Sequence, residues 1–122
     1  VKENPAKVIM GGPMMGFAHS NIDVPVAKNS SGVLLMAPEE IEQFEGNPCI
    51  RCSRCVKACP MNLLVPTLST MIEAGEFAMA EQNYVMDCVE CGTCAYICPA
   101  KRPLVQHFRR AKAEILAKRR KK

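Results

Sequence analysis

The sequence predicts an α+β chain, mainly α, in which a short β portion precedes a helical one. Three observations predict it. Up to about residue 37, short apolar β-prone runs alternate with Gly, Pro and Asn turns. Beyond that point, prolines at 38, 66 and 103 each open a stretch with helical signals. Two cysteine runs of identical spacing interrupt the helical part and account for all eight cysteines. The expected division is 1–37 and 38–122.

In the first portion, Val8–Met10 reads as a short strand. Gly11-Gly12-Pro13 and Gly16 are turn signals. The bend they make is expected to pack Met14 and Met15 inward. Asp23–Ala27 is extended but carries Pro25, so it reads as an edge or loop. Gly32 leads into Val33-Leu34-Leu35-Met36, expected as a buried strand. Three such strands do not make an independent sheet, so this portion reads as the tail of a larger domain. A first residue Val1 in place of Met points the same way.

In the second portion, Pro38–Phe44 reads as a short helix with acids in its first turn and Gly46 after it. A helix opened by Pro66 carries Leu68, Met71 and Ile72 on one face and stops at Gly75. Another is expected from Glu76 to about Val85, with Phe77, Ala80 and Tyr84 on its apolar face. Pro103 opens the last helix, whose stripe is Leu104, Val105, Phe108, Ala111 and Ile115. It ends in Lys118-Arg119-Arg120-Lys121-Lys122. Cations there suit the helix dipole, and a solvated end is the plain reading; attraction to an anionic membrane face is the alternative.

Chemistry resides in the cysteines. Cys49, Cys52, Cys55, Cys59-Pro60 and Cys88, Cys91, Cys94, Cys98-Pro99 both follow C-x2-C-x2-C-x3-C-P. That run binds cubane iron–sulfur clusters, and its fourth cysteine ligates the other cluster where two are present. Applied here, cluster I takes Cys49, Cys52, Cys55 and Cys98, and cluster II takes Cys88, Cys91, Cys94 and Cys59. The proline after each fourth cysteine turns the chain outward and favours that exchange. Electron transfer through two [4Fe-4S] clusters is the leading reading. A zinc site ordinarily draws its C-x2-C pairs from separated segments. Four disulfides would suit a secreted scaffold, and nothing here resembles a signal peptide.

Composition bounds the rest. The 122 residues are 48% hydrophobic but only 5% aromatic, with no Trp, which gives a modest core that bound clusters would reinforce. The formal charge is +4. Eight thiolates and two oxidised cubane cores would bring the loaded protein near neutrality, so basicity gives no support to a nucleic-acid partner. The longest apolar stretches are too short to cross a bilayer, which reads as soluble or peripheral. His19 and His107 are isolated and read as surface or loop residues.

The segments Gly11-Gly12-Pro13-Met14-Met15-Gly16, Asp23-Val24-Pro25-Val26 and Ser31-Gly32, followed by the paired cysteine runs, resemble the C-terminal part of the C subunit of the bacterial Rnf electron-transport complex. The resemblance covers nearly the whole chain. It implies a peripheral protein on the cytoplasmic face of the inner membrane, within a complex that couples electron flow between NADH and ferredoxin to ion translocation. It further implies that residues 1–37 end a β-grasp, soluble-ligand-binding domain, and that the rest is an α-helical ferredoxin-like domain. FMN and NADH would bind only in upstream domains; no dinucleotide fingerprint is present here. The implied partners are other subunits of the complex and a redox carrier protein. On this reading the segment is a relay with no bond chemistry of its own, so whether to name it an enzyme is uncertain. The iron–sulfur subunit of a soluble oxidoreductase, of glycolate oxidase or heterodisulfide reductase type, is the alternative, and the Gly11–Gly16 segment argues against it. A structural zinc module is the third reading.

The charges beside the two runs differ. Arg51, Arg54, Lys101 and Arg102 fall near cluster I, whereas Asp87 and Glu90 fall near cluster II with only Lys57 opposing them. Positive charge favours the reduced state, so cluster I is expected to hold the higher potential.

Overall fold

The computed structural model describes residues 5–41 and 46–121. The chain divides into two compact units, 1–44 and 45–122, so the first turn after the strands groups with them. The boundary expected from the sequence lies at 37/38.

The first unit is a three-stranded antiparallel sheet of order β2-β1-β3. Strand β1 is Lys7–Met10, β2 is Phe17–His19 and β3 is Val33–Met36. Val8 faces His19 on one side and Leu35 on the other. Only the central strand is buried, at Val8 and Ile9. The expectation that Val33–Met36 is buried fails for a topological reason: β3 is an edge strand, and Val33, Leu34 and Leu35 stand exposed. Strand β2 has no counterpart in the sequence expectation; Asp23–Ala27 is irregular, in keeping with the loop reading.

The β1–β2 connection is the Gly11–Gly16 bend. Gly11 has φ +109°, and the Gly16 amide donates to the Gly12 carbonyl at 2.7 Å. A Cβ on Gly16 would stand 2.4 Å from Ile9 Cγ2, so glycine is required there by contact. Met14 and Met15 do not pack inward; they are 45% and 51% exposed. The bend is too tight to bring the intervening side chains back over the sheet.

Pro38–Glu40 forms a 3-10 turn, with the Glu40 carboxylate accepting from the Ala37 amide at 3.2 Å. Ile41 is already extended, against the helix expected to Phe44, and 42–44 lie outside the described residues.

The second unit is helical. Helix α1 is Arg54–Lys57, α2 is Val65–Glu73, α3 is Phe77–Gln82, α4 is Thr93–Tyr96 and α5 is Leu104–Arg120. Gly75, φ +78°, ends α2: its amide donates to Ile72 and that of Glu76 to Met71, the paired bonds of a Schellman stop. Helix α3 is shorter than expected. Tyr84 adopts φ +63° beyond its end and is 68% exposed, and Val85, fully buried, takes the core position assigned to it. The left-handed turn at Tyr84 advances the buried position by one residue.

Leu68, Ile72, Val65, Val85 and Phe108 form the centre of the core, where α2 packs against α5. Full burial of each such side chain contributes about 1.5–3 kcal/mol. The basic end of α5 is not wholly solvated. Arg110 and Lys118 lie 5.7 and 5.9 Å from the Phe77 ring centre, and Arg119 pairs with Glu81.

The two cysteine runs repeat as structures. Cys49 and Cys88 are 39 positions apart, and the same spacing relates the left-handed residues Arg51 to Glu90, Ser53 to Gly92 and Asn62 to Lys101. It also relates α1 to α4 and the start of α2 to the start of α5.

Candidate metal centres

Each cysteine run wraps on itself because its backbone turns left-handed twice. Arg51 and Ser53 have φ +55° and +57°; Glu90 and Gly92 have φ +55° and +83°. For residues with a Cβ this costs on the order of 1 kcal/mol each. The turns aim main-chain amides at sulfur: Arg51 N donates to Cys49 Sγ and Glu90 N to Cys88 Sγ, both at 3.4 Å. At Cys88 this bond favours the thiolate, the form that ligates metal, against a burial that raises the thiol overall.

Two cavities result. The first is lined by Cys49, Cys52, Cys55 and Cys98. The second is lined by Cys59, Cys88, Cys91 and Cys94. Each is lined by three cysteines of one run and the fourth of the other. Electrostatic neighbours agree: Cys55 feels Cys98 and Cys49, and Cys94 feels Cys88, Cys91 and Cys59. Residues adjoining the fourth cysteines, Ala58 to Asn62 and Ile97 to Lys101, repeat one hydrogen-bonded turn that carries Cys59 and Cys98 across.

The two centres differ in cover. Cys49 and Cys52 are exposed in the first, whereas no cysteine of the second is. Leu63, Val65, Val105 and Phe108 wall the second. Burial pushes the Cys94 thiol up to about 12, assisted by the neighbouring Cys88. Burial raises Cys55 and Cys88 as well. Cys91 is lowered by the Thr93 hydroxyl, 3.3 Å from its sulfur. Loading metal must displace protons from the raised thiols, so occupancy and pH are coupled.

The donor sets fit a cubane. Each cavity offers four thiols with amide donors and apolar walls. Among the described residues, no three His, Cys, Asp or Glu side chains close on one point as a single ion needs. Tetrahedral zinc would hold its thiolates about 3.8 Å apart.

The charge contrast expected from the sequence is corrected. Glu90 is not an uncompensated acid at the second centre: Arg109 Nε lies 2.9 Å and Lys112 Nζ 3.0 Å from its carboxylate. Lys112 also donates to the Cys88 carbonyl. Burial works to raise the Glu90 carboxyl, and these hydrogen bonds outweigh it and hold it below the usual carboxylate range. Sequence reading missed both cations, although a sign was there. Arg109 and Lys112 lie four residues beyond the buried Val105 and Phe108, hence on the same face of α5.

At the first centre, Arg102 lines the cavity but is committed to Glu73 and to Ser69 Oγ at 3.0 Å. Ser69, fully buried, also meets His107 Nδ1 at 2.8 Å. His107 is therefore no isolated surface residue; burial lowers its pKa.

A 4Fe-4S dicluster domain family matches residues 48–102. Over 114 residues, 93% of this chain, the sequence is 49% identical to the C subunit of the proton-translocating ferredoxin:NAD(+) oxidoreductase complex of Clostridium ljungdahlii, covering 25% of that protein. Over 117 residues, 96% of the chain, it is 45% identical to the Na(+)-translocating counterpart of Acetobacterium woodii, covering 26%. Over 115 residues, 94% of the chain, it is 40% identical to the C subunit of the ion-translocating oxidoreductase complex of Methanosarcina acetivorans, covering 26%. The chain thus spans about a quarter of the length of these relatives.

Proposed function

Because the chain belongs to the family of C subunits of ion-translocating oxidoreductase complexes, we propose that it is the two-cluster relay segment of such a protein. Cluster I would be held by Cys49, Cys52, Cys55 and Cys98, and cluster II by Cys88, Cys91, Cys94 and Cys59. The observation that carries this reading is the exchange of fourth cysteines between two thiol-lined cavities. Bound there, each cubane would supply one-electron uptake and release.

The residues present do the rest. The amides of Arg51 and Glu90 donate to sulfur and stabilise the negative charge that collects there. Leu63, Val65 and Phe108 exclude water from the second centre. Cys59 and Cys98 hold the two centres as one unit, a condition for passing electrons between them. Cluster I takes the higher potential on this reading because Cys49 and Cys52 meet water, which stabilises the added negative charge of the reduced state.

The parent protein's setting is part of the proposal. It would sit on the cytoplasmic face of the inner membrane, exchanging electrons with other subunits, with FMN and NADH bound by upstream domains and the three-stranded sheet ending a β-grasp domain. Among the described residues, no helix is long and apolar enough to cross a membrane. The soluble-oxidoreductase alternative is not favoured, since relatives at 40–49% identity are C subunits of ion-translocating complexes.

The test is anaerobic purification, iron and sulfide assay, and EPR after dithionite reduction. About eight irons and eight sulfides, with an interacting two-spin signal, are expected. Zinc with no reducible chromophore would leave a structural module instead.

A further inference from the structure

The repeat of 39 positions exposes one place where the halves do not correspond. Around the second run, Glu90 of the loop is bridged to Arg109 of α5. The corresponding pair in the first half is Arg51 and Thr70 of α2. These two do not bridge; they face each other across an open groove, also lined by Cys49, Val56, Leu64 and Thr67. Leu64 is 60% exposed, and Arg51 and Thr70 are exposed with it. No carboxylate of the described residues pairs with Arg51.

We propose that this groove docks an acidic loop of the neighbouring redox subunit, one carboxylate taking Arg51 and an adjacent apolar side chain covering Leu64. The proposal rests on the two-cluster reading and deepens it by naming the face through which cluster I exchanges electrons. Three features select this occupant. The unmatched charge at the groove is a cation. Arg54, Lys57 and Lys101, all exposed, add positive charge in and after the cysteine runs. Cys49, a ligand in the proposed cluster I set, forms part of the groove wall, so a docked partner stands against the exposed centre rather than the covered one. One electron crosses per encounter: the partner's one-electron centre is reduced as cluster I is oxidised, or the reverse, with no bond made or broken.

The experiment uses the full-length protein with its clusters bound, and membranes from cells that lack it. Co-sedimentation reads docking, and stopped-flow absorbance reads reoxidation of the dithionite-reduced protein by the membranes. Arg51→Glu introduces the residue that already occupies the same left-handed position in the second run, so the loop tolerates it. It should weaken docking and slow electron transfer about tenfold at low salt, with the gap closing as salt rises. Thr70→Glu, which supplies Arg51 with an internal partner as Arg109 supplies Glu90, should do the same with iron content and EPR unchanged. Should Arg51→Glu lose iron, Thr70→Glu and Leu64→Asp decide the matter alone. Wild-type docking and rates in the cluster-loaded variants overturn the proposal. Absence of reducible iron from the wild type overturns the relay reading instead, and is told apart by the iron assay made before docking.

Discussion

The two cysteine loops share a backbone and differ in what the helices do to them. At the second loop α5 reaches over with Arg109 and Lys112, fixes Glu90 and holds the Cys88 carbonyl. At the first, the corresponding positions of α2 are Thr70 and Glu73, and Glu73 turns away to Arg102. One centre has its cysteines partly or wholly covered by its own chain; the other keeps Cys49 and Cys52 exposed. The comparison separates two layers of coding. Loop shape follows from the local run, Cys spacing and left-handed turns, and so repeats. The environment follows from helix residues far along the chain, and so does not.

Removing one of the proposed exchanged cysteines should have the largest effect. Cys59→Ser lies in the first run yet should empty the second centre, halving iron to about four per chain while the first centre keeps its signal. Cys98→Ser should do the converse. Loss of the cluster belonging to the mutated run would refute the crossing.

A smaller effect is expected at the closed centre alone. Lys112→Ala leaves the Cys88 carbonyl without its donor and Glu90 with one cation fewer, at a cost of about 1–3 kcal/mol in denaturant unfolding of the loaded protein. Loss of nearby positive charge should also lower the potential of the second centre and spare the first. Redox titration followed by EPR checks this; equal shifts at both centres would mean that Lys112 acts on the fold, not on one site.

The smallest effect concerns the network behind the first centre. Burial lowers the His107 pKa, so the unfolded chain binds this proton near the ordinary 6.5 while the folded chain resists it. Stability is then full above that pH and falls as pH drops through it, by at most about 1.4 kcal/mol per unit. His107→Gln should flatten the slope between about pH 5 and 7 relative to the wild type. An unchanged slope would show that another group carries it.

Much of the cysteine domain was legible in the sequence. Spacing and proline placement gave the runs and the α2 and α5 starts, because these depend on neighbours within a few residues. Tyr84 and Val85 exchange their expected places because one left-handed residue changes phase without altering composition. Val33–Met36 reads as buried in sequence because an apolar run does not tell an edge strand from a central one. The pairing of Glu90 with Arg109 and Lys112, and of Ser69 with Arg102 and His107, joins residues 19 to 38 positions apart. Such contacts depend on how α5 crosses the core, which no local pattern records.

The proposed exchange of Cys59 and Cys98 would also fix what may be divided. A cut at Gly75, between α2 and α3, would leave each fragment with three thiols for one cavity and a lone fourth for the other. On the proposed ligand sets, neither fragment could finish a centre by itself, yet together they hold all eight cysteines. The domain is in this sense a dimer written as one chain, and its linker could be severed with less harm than either of its two borrowed sulfurs.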